Sequence, residues 1–133
     1  MSKIEKFEDI EAWQKARELT KQIYKITKEE LFSKDFGLRD QIRRSAVSIM
    51  ANISEGFARR TRKEFVNFLG MAHASVGEVQ SHLYVAFDQT YISEKEFTQF
   101  HSYADEVSRM IQGFINYLRN SKTLRLQDSQ TYK

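Results

Sequence analysis

The side chains that could do acid–base, nucleophilic or metal chemistry are few, and their spacing does not suit it. The sequence has three histidines, His73, His82 and His101, and no cysteine. Without thiols there is no disulfide, thiolate zinc site or cysteine nucleophile. A di-iron carboxylate site in a helical bundle takes a Glu from each of two helices and a Glu-x-x-His pair from each of the other two. No histidine here follows a Glu at that spacing; Glu78 and His82 stand one turn apart, with no second such pair. Helical ribonuclease domains set an arginine shortly before their histidine, and no Arg stands so here. No serine sits in a nucleophile elbow and no Gly-rich loop cradles a phosphate. The glycines Gly37, Gly56, Gly70, Gly77 and Gly113 are scattered singly. The expectation is a protein that is not an enzyme, with no catalytic residues, no metal and no cofactor.

Cations remain as the chemistry-bearing groups. Arg39, Arg43 and Arg44 form one cluster, and Arg59, Arg60, Arg62 and Lys63 form another around Thr61. Four cations at a tight corner beside a helix start suit a phosphate, through side-chain charge and free backbone amides together. Arg59 and Arg60 at a helix C-terminus would also complement the dipole there, a purely structural role. No aromatic residue except Phe57 accompanies the corner, so stacking of single strands is not indicated there. The formal net charge of +3 hides a strong asymmetry: residues 1–30 are neutral, 31–63 carry +5, 64–118 carry −5 and 119–133 carry +3. Such a field attracts a polyanion or an acidic partner, or draws the two halves together on folding or self-association.

These groups must be positioned by helices. There is no Pro in the 133 residues, and 41% of them are apolar, so long helices with an ordinary core are favoured over β structure or disorder. Apolar periodicity divides the chain into four segments. The first runs from about Ile10 to Lys28, with Asp9 as N-cap and Ile10, Trp13, Ala16, Thr20, Ile23 and Thr27 as its stripe. A polar connection follows through Asp35. The second helix spans Phe36 to Arg60. Thr61-Arg62-Lys63-Glu64 and Ser93-Glu94-Lys95-Glu96 read as capping boxes that open the third and fourth helices. The expected fold is all-α, an antiparallel up-down-up-down four-helix bundle over residues 1–121, with a polar basic tail over 122–133 expected to be disordered. The N-terminus carries charges where a signal peptide needs an apolar run, and no apolar run approaches the ~20 residues that cross a bilayer. A cytoplasmic protein without a membrane partner is implied.

The second helix has a polar seam beside its apolar stripe. Gln41, Ser45, Ser48, Asn52 and Glu55 are spaced four, three, four and three, and Gly56 extends the small side. The seam is either a solvated face or a close, hydrogen-bonded contact, inside the bundle or between subunits.

At these residues the sequence resembles a known family. The stretches are Phe7-x-x-Ile10-x-x-Trp13-Gln14-x-Ala16, Phe36-Gly37-Leu38-x-x-Gln41-Ile42-Arg43-Arg44-Ser45-Ala46-x-Ser48-Ile49, Asn52-Ile53-x-Glu55-Gly56, then Glu64-Phe65, Phe68-Leu69 and Ala74-Ser75-x-x-Glu78. They resemble the four-helix bundle proteins encoded in intervening sequences of bacterial 23S ribosomal RNA genes, over residues 5–120. Two departures are mild: Ala74-Ser75 stands where many members have Gly-Ser, and Leu31-Phe32-Ser33-Lys34 lacks the Pro common between the first two helices. The resemblance implies a ring-like homopentamer. The accessory variability proteins of diversity-generating retroelements, similar in fold and assembly, bind a reverse transcriptase and nucleic acid through basic surfaces. By the same resemblance Gln41, Asn52, Glu55, Gly56, Ser75 and Glu78 are structural or interfacial, and the arginines of the second helix and the turn are the nucleic-acid candidates. Two functional readings follow. One is an oligomeric bundle that binds RNA or DNA, alone or with a nucleic-acid-processing protein. The other is a protein–protein adaptor whose charges serve assembly.

Overall fold

The computed structural model describes residues 4–120, so the tail expected over residues 122–133 lies outside the described residues. A 3-10 turn at Phe7–Asp9 precedes five helices: α1 (Glu11–Ile26), α2 (Glu30–Lys34), α3 (Phe36–Phe57), α4 (Arg62–Asp88) and α5 (Glu94–Asn120). The four long ones close into a bundle in which α1 and α4 each pack on both α3 and α5. Side-chain pairs give their directions. Thr20 on α1 and Thr27 just past its end meet Ala46 and Arg43 on α3; Ser48 and Gly56 on α3 meet Ser75 and Phe65 on α4; His73 and Gln80 on α4 meet Ser108 and His101 on α5. Each pairing runs antiparallel, so the topology is up-down-up-down as expected.

The core follows the periodicity. Ala16, Leu19 and Ile23 of α1, Ile42, Ile49 and Ile53 of α3, Phe65, Leu69 and Leu83 of α4, and Val107, Ile111 and Leu118 of α5 are fully enclosed. Trp13, placed in the first stripe, is only half-buried and packs edge-on against Phe7 at 5.1 Å, while Leu19 and Ile26 take core positions.

Three local expectations are corrected. Asp9 does not cap α1. Its carboxylate accepts the amides of Glu5 and Lys6 at 3.0 and 3.2 Å, closing the 3-10 turn, and buried Ile10 is the residue that enters α1. The polar connection is not a loop throughout: α2 forms there and inserts Phe32 fully into the core. Helix α3 stops at Phe57 rather than Arg60, so residues 58–61 make the corner.

Both helix starts fall at the expected caps, but only the Ser93 box forms in full; Glu64 accepts from the Thr61 hydroxyl at 3.3 Å. Ser93 and Glu96 exchange both bonds of a capping box, at 2.9 and 3.1 Å. The Thr61 hydroxyl accepts the Glu64 amide at 3.1 Å, and Asp35 caps α3 by accepting the Leu38 amide at 3.1 Å. Helix α4 ends in a Schellman motif. The Tyr91 and Thr90 amides donate to the Ala86 and Phe87 carbonyls, both at 2.9 Å, with Thr90 at φ 61° in the left-handed region. Thr there is costlier than Gly, which is why no composition signal marks this turn.

At Gly56 the α3 and α4 helices approach closely. A methyl group on it would lie 2.8 Å from Phe68 Cβ and 2.9 Å from Phe65 Cδ1. That clash outweighs the ~1 kcal/mol by which Gly disfavours a helix.

Candidate nucleic-acid interface

The polar seam of α3 divides. Ser48 Oγ accepts from Ser75 Oγ at 3.0 Å and from Asn52 Nδ2 at 3.0 Å, and Ser45, Ser75 and Gly56 are buried. This part is a close contact inside the bundle. Gln41, Glu55 and Glu78 stay exposed. An open groove of about 410 Å³ beside the seam is lined by Gln41, Arg44, Ser45, Ser48, Glu78, Ser81 and His82. Burial pushes the His82 imidazole below its ordinary pKa, against the opposing pull of Glu78, which disfavours its charged form.

The seven candidate cations do not share one fate. At the corner, Arg59 Nη2 donates to Glu55 Oε2 at 2.9 Å, and the guanidinium lies over the Phe68 ring at 4.7 Å. Arg62 is buried and donates to the Leu118 carbonyl at the end of α5. It therefore complements the negative end of that helix dipole. Arg60 and Lys63 are exposed. Arg119, not singled out in the sequence, comes to the same place because α5 ends where α4 begins. Thr61, Arg62, Lys63, Val66, Asn67 and Arg119 line a groove of about 450 Å³. Lys63 adds its charge to the positive end of the α4 dipole, which Glu64 offsets in part.

On the other half of α3, Arg39 donates to Asp40 Oδ1 at 2.9 Å and to the Ser33 carbonyl at 3.1 Å, and covers the Phe36 ring at 4.8 Å. Arg43 Nε donates to Thr27 Oγ1 at 2.8 Å and covers the Tyr24 ring at 4.7 Å. Arg44 is exposed beside the seam. The sequence reading missed all three of these arginine–ring pairs. The i,i+3 spacing of Phe36 and Arg39 was a usable signal; Tyr24 and Arg43 meet only through the packing of two helices.

Among the described residues no three His, Asp or Glu side chains converge on a possible metal position, and no helix is long and apolar enough to cross a membrane.

A family model for the 23S rRNA-intervening sequence protein matches residues 8–113. The chain belongs to this family. The match includes the whole α3–α4 hairpin with its seam and corner, and stops before Arg119. Among solved structures, a crystal structure of a protein of unknown function from the S23 ribosomal protein family of Bacteroides thetaiotaomicron is similar. It has a TM-score of 0.72 and 27% identity, over 78% of this chain and 97% of that one. No match was found among curated proteins. As an intervening-sequence family protein, the chain shares an all-helical bundle with that relative.

Proposed function

We propose that the protein is a non-enzymatic helical bundle that self-assembles and binds RNA or DNA through its cationic patches, with the α3–α4 corner as the principal phosphate contact. The observation that carries this reading is the corner groove, lined among the described residues by cations from two helices and by no carboxylate. Lys63 and Arg119 supply charge, the start of α4 supplies oriented amides, and Arg60 stands exposed in the adjoining turn. Binding of this kind reads phosphate rather than base.

The corner is tested with Arg60→Ala/Lys63→Ala/Arg119→Ala, which spares buried Arg62. Fluorescence anisotropy should show binding weakened about tenfold or more and equally for all sequences. The slope of log affinity against log salt should flatten by ~0.9 for each duplex phosphate that the variant no longer neutralises. A folded triple variant with unchanged affinity and slope removes the corner from the interface.

Self-association belongs to the same reading, because a ring repeats a weak patch at every subunit. The outer face of α4 suits it. Gly70, Ala74, Gly77 and Ser81 are exposed at spacings of four, three and four, among the described residues nothing lies within 4 Å of the open side of Gly70 or Gly77, and Met71 and Val85 are exposed beside them. A homopentamer is expected, with a solution mass near five times 15.7 kDa. A 15.7 kDa particle at every concentration in sedimentation contradicts it.

The adaptor reading would set the basic middle of one subunit against the acidic second half of its neighbour. Of the carboxylates it would use, Glu106 pairs with Lys15 at 2.8 Å, Asp105 accepts from Gln80 at 2.8 Å and Glu96 closes its capping box, while Glu94 is exposed.

A further inference from the structure

We infer that the outer face between α1 and α3 stacks unpaired nucleobases, so that the bundle engages single-stranded segments of a nucleic acid as well as its phosphates. This rests on the nucleic-acid reading and specifies its substrate. Phe36 is 64% exposed, more than any other large apolar side chain described, and Tyr24 is also exposed. Each ring has one face covered by a guanidinium: Arg39 over Phe36 and Arg43 over Tyr24. The guanidinium planes are held in place. Thr27 fixes Arg43 at Nε, and the terminal amino groups of Arg43 have no acceptor among the described residues. Asp40 and the Ser33 carbonyl hold Arg39.

An exposed ring backed by a fixed cation is the surface on which unstacked bases lie, by ring stacking and by stacking on the guanidinium itself. The two arginines are one turn apart, so the two stacks are offset by ~6 Å along α3. That exceeds the ~3.4 Å per nucleotide of a duplex strand, so they suit splayed bases and not a stacked helix. Charge agrees with a polyanion. Lys28 lies in the turn after α1, next to the Thr27 that holds Arg43, and among the described residues Asp40 is the carboxylate in contact with Arg39.

The test uses the full-length protein, a labelled 15-nucleotide oligo(A) RNA and a blunt RNA duplex of equal length. Phe36→Ala and Tyr24→Ala should each weaken oligo(A) binding roughly 5- to 100-fold. Duplex binding should hold, and Phe36→Tyr and Tyr24→Phe should restore oligo(A) binding. If wild-type protein binds both probes and the Ala variants match it, stacking is overturned while the phosphate reading stands. Equal losses on both probes, or a changed assembly mass in sedimentation, also overturn it, the latter assigning the face to a second copy. If wild-type protein binds neither probe, the nucleic-acid reading falls and this inference with it.

Discussion

Phe32→Ala lowers the unfolding free energy by ~3–5 kcal/mol, the range for deleting a fully buried aromatic ring. The site lies in a five-residue helix within a polar stretch, where composition suggests a tolerant loop. The ring nevertheless has no solvent exposure and packs 5.4 Å from Tyr91. Tyr91 donates its hydroxyl to Asp35 Oδ2 at 3.0 Å, and Asp35 caps α3. That hydrogen bond to Asp35 is also what holds the Tyr91 phenol above its ordinary pKa. Phe32 thus ties the α1–α3 connection to the α4–α5 connection at one end of the bundle. Leu31 beside it is 60% exposed, and Leu31→Ala should change stability by no more than ~0.5 kcal/mol. Urea unfolding at one fixed protein concentration distinguishes them, with the midpoint falling and the slope unchanged for Phe32→Ala. Equal effects of the two substitutions would contradict the packing described.

Arg62→Met separates folding from binding. Arg62 is 8% exposed and its guanidinium serves the Leu118 carbonyl, so its removal takes a buried donor from the end of α5. A hydrogen bond from a charged group contributes ~1.5–3 kcal/mol, and Met keeps much of the apolar stem. The expected result is a stability loss of that size with the salt slope of nucleic-acid binding unchanged. Lys63→Gln should do the opposite, leaving stability alone and lowering the slope. Wild-type stability in Arg62→Met together with abolished binding would return Arg62 to the interface.

The difference between Arg62 and Lys63 shows what the sequence holds and what it does not. Local patterns were legible: Ser93 with Glu96, and Thr61 before Glu64, mark helix starts because the cap bonds join residues three apart. The α3 stripe from Ile42 to Ile53 was legible for the same reason, since one helix sets its own faces. Asp9 misled because its carboxylate had two sets of amides within reach, and the 3-10 turn took it. Phe32 was missed because the lone apolar pair Leu31-Phe32 among polar residues has no periodicity and does not tell which of the two is buried. Of the four neighbouring cations, Arg59 pairs with Glu55 at the local i,i+4 spacing, while only tertiary placement tells that Arg62 faces a carbonyl and that Arg60 and Lys63 are exposed. Arg119 and Tyr24 enter their sites from other helices, by contacts that no local window contains.

The most direct measurement is anisotropy of wild-type protein with labelled structured RNA and with duplex DNA, titrated from about 50 to 200 mM salt. Contacts to several phosphates predict tight binding at the low end and a steep, log-linear loss of affinity across the range. No binding of either probe at about 50 mM salt would contradict the nucleic-acid role and leave the basic corner to serve assembly.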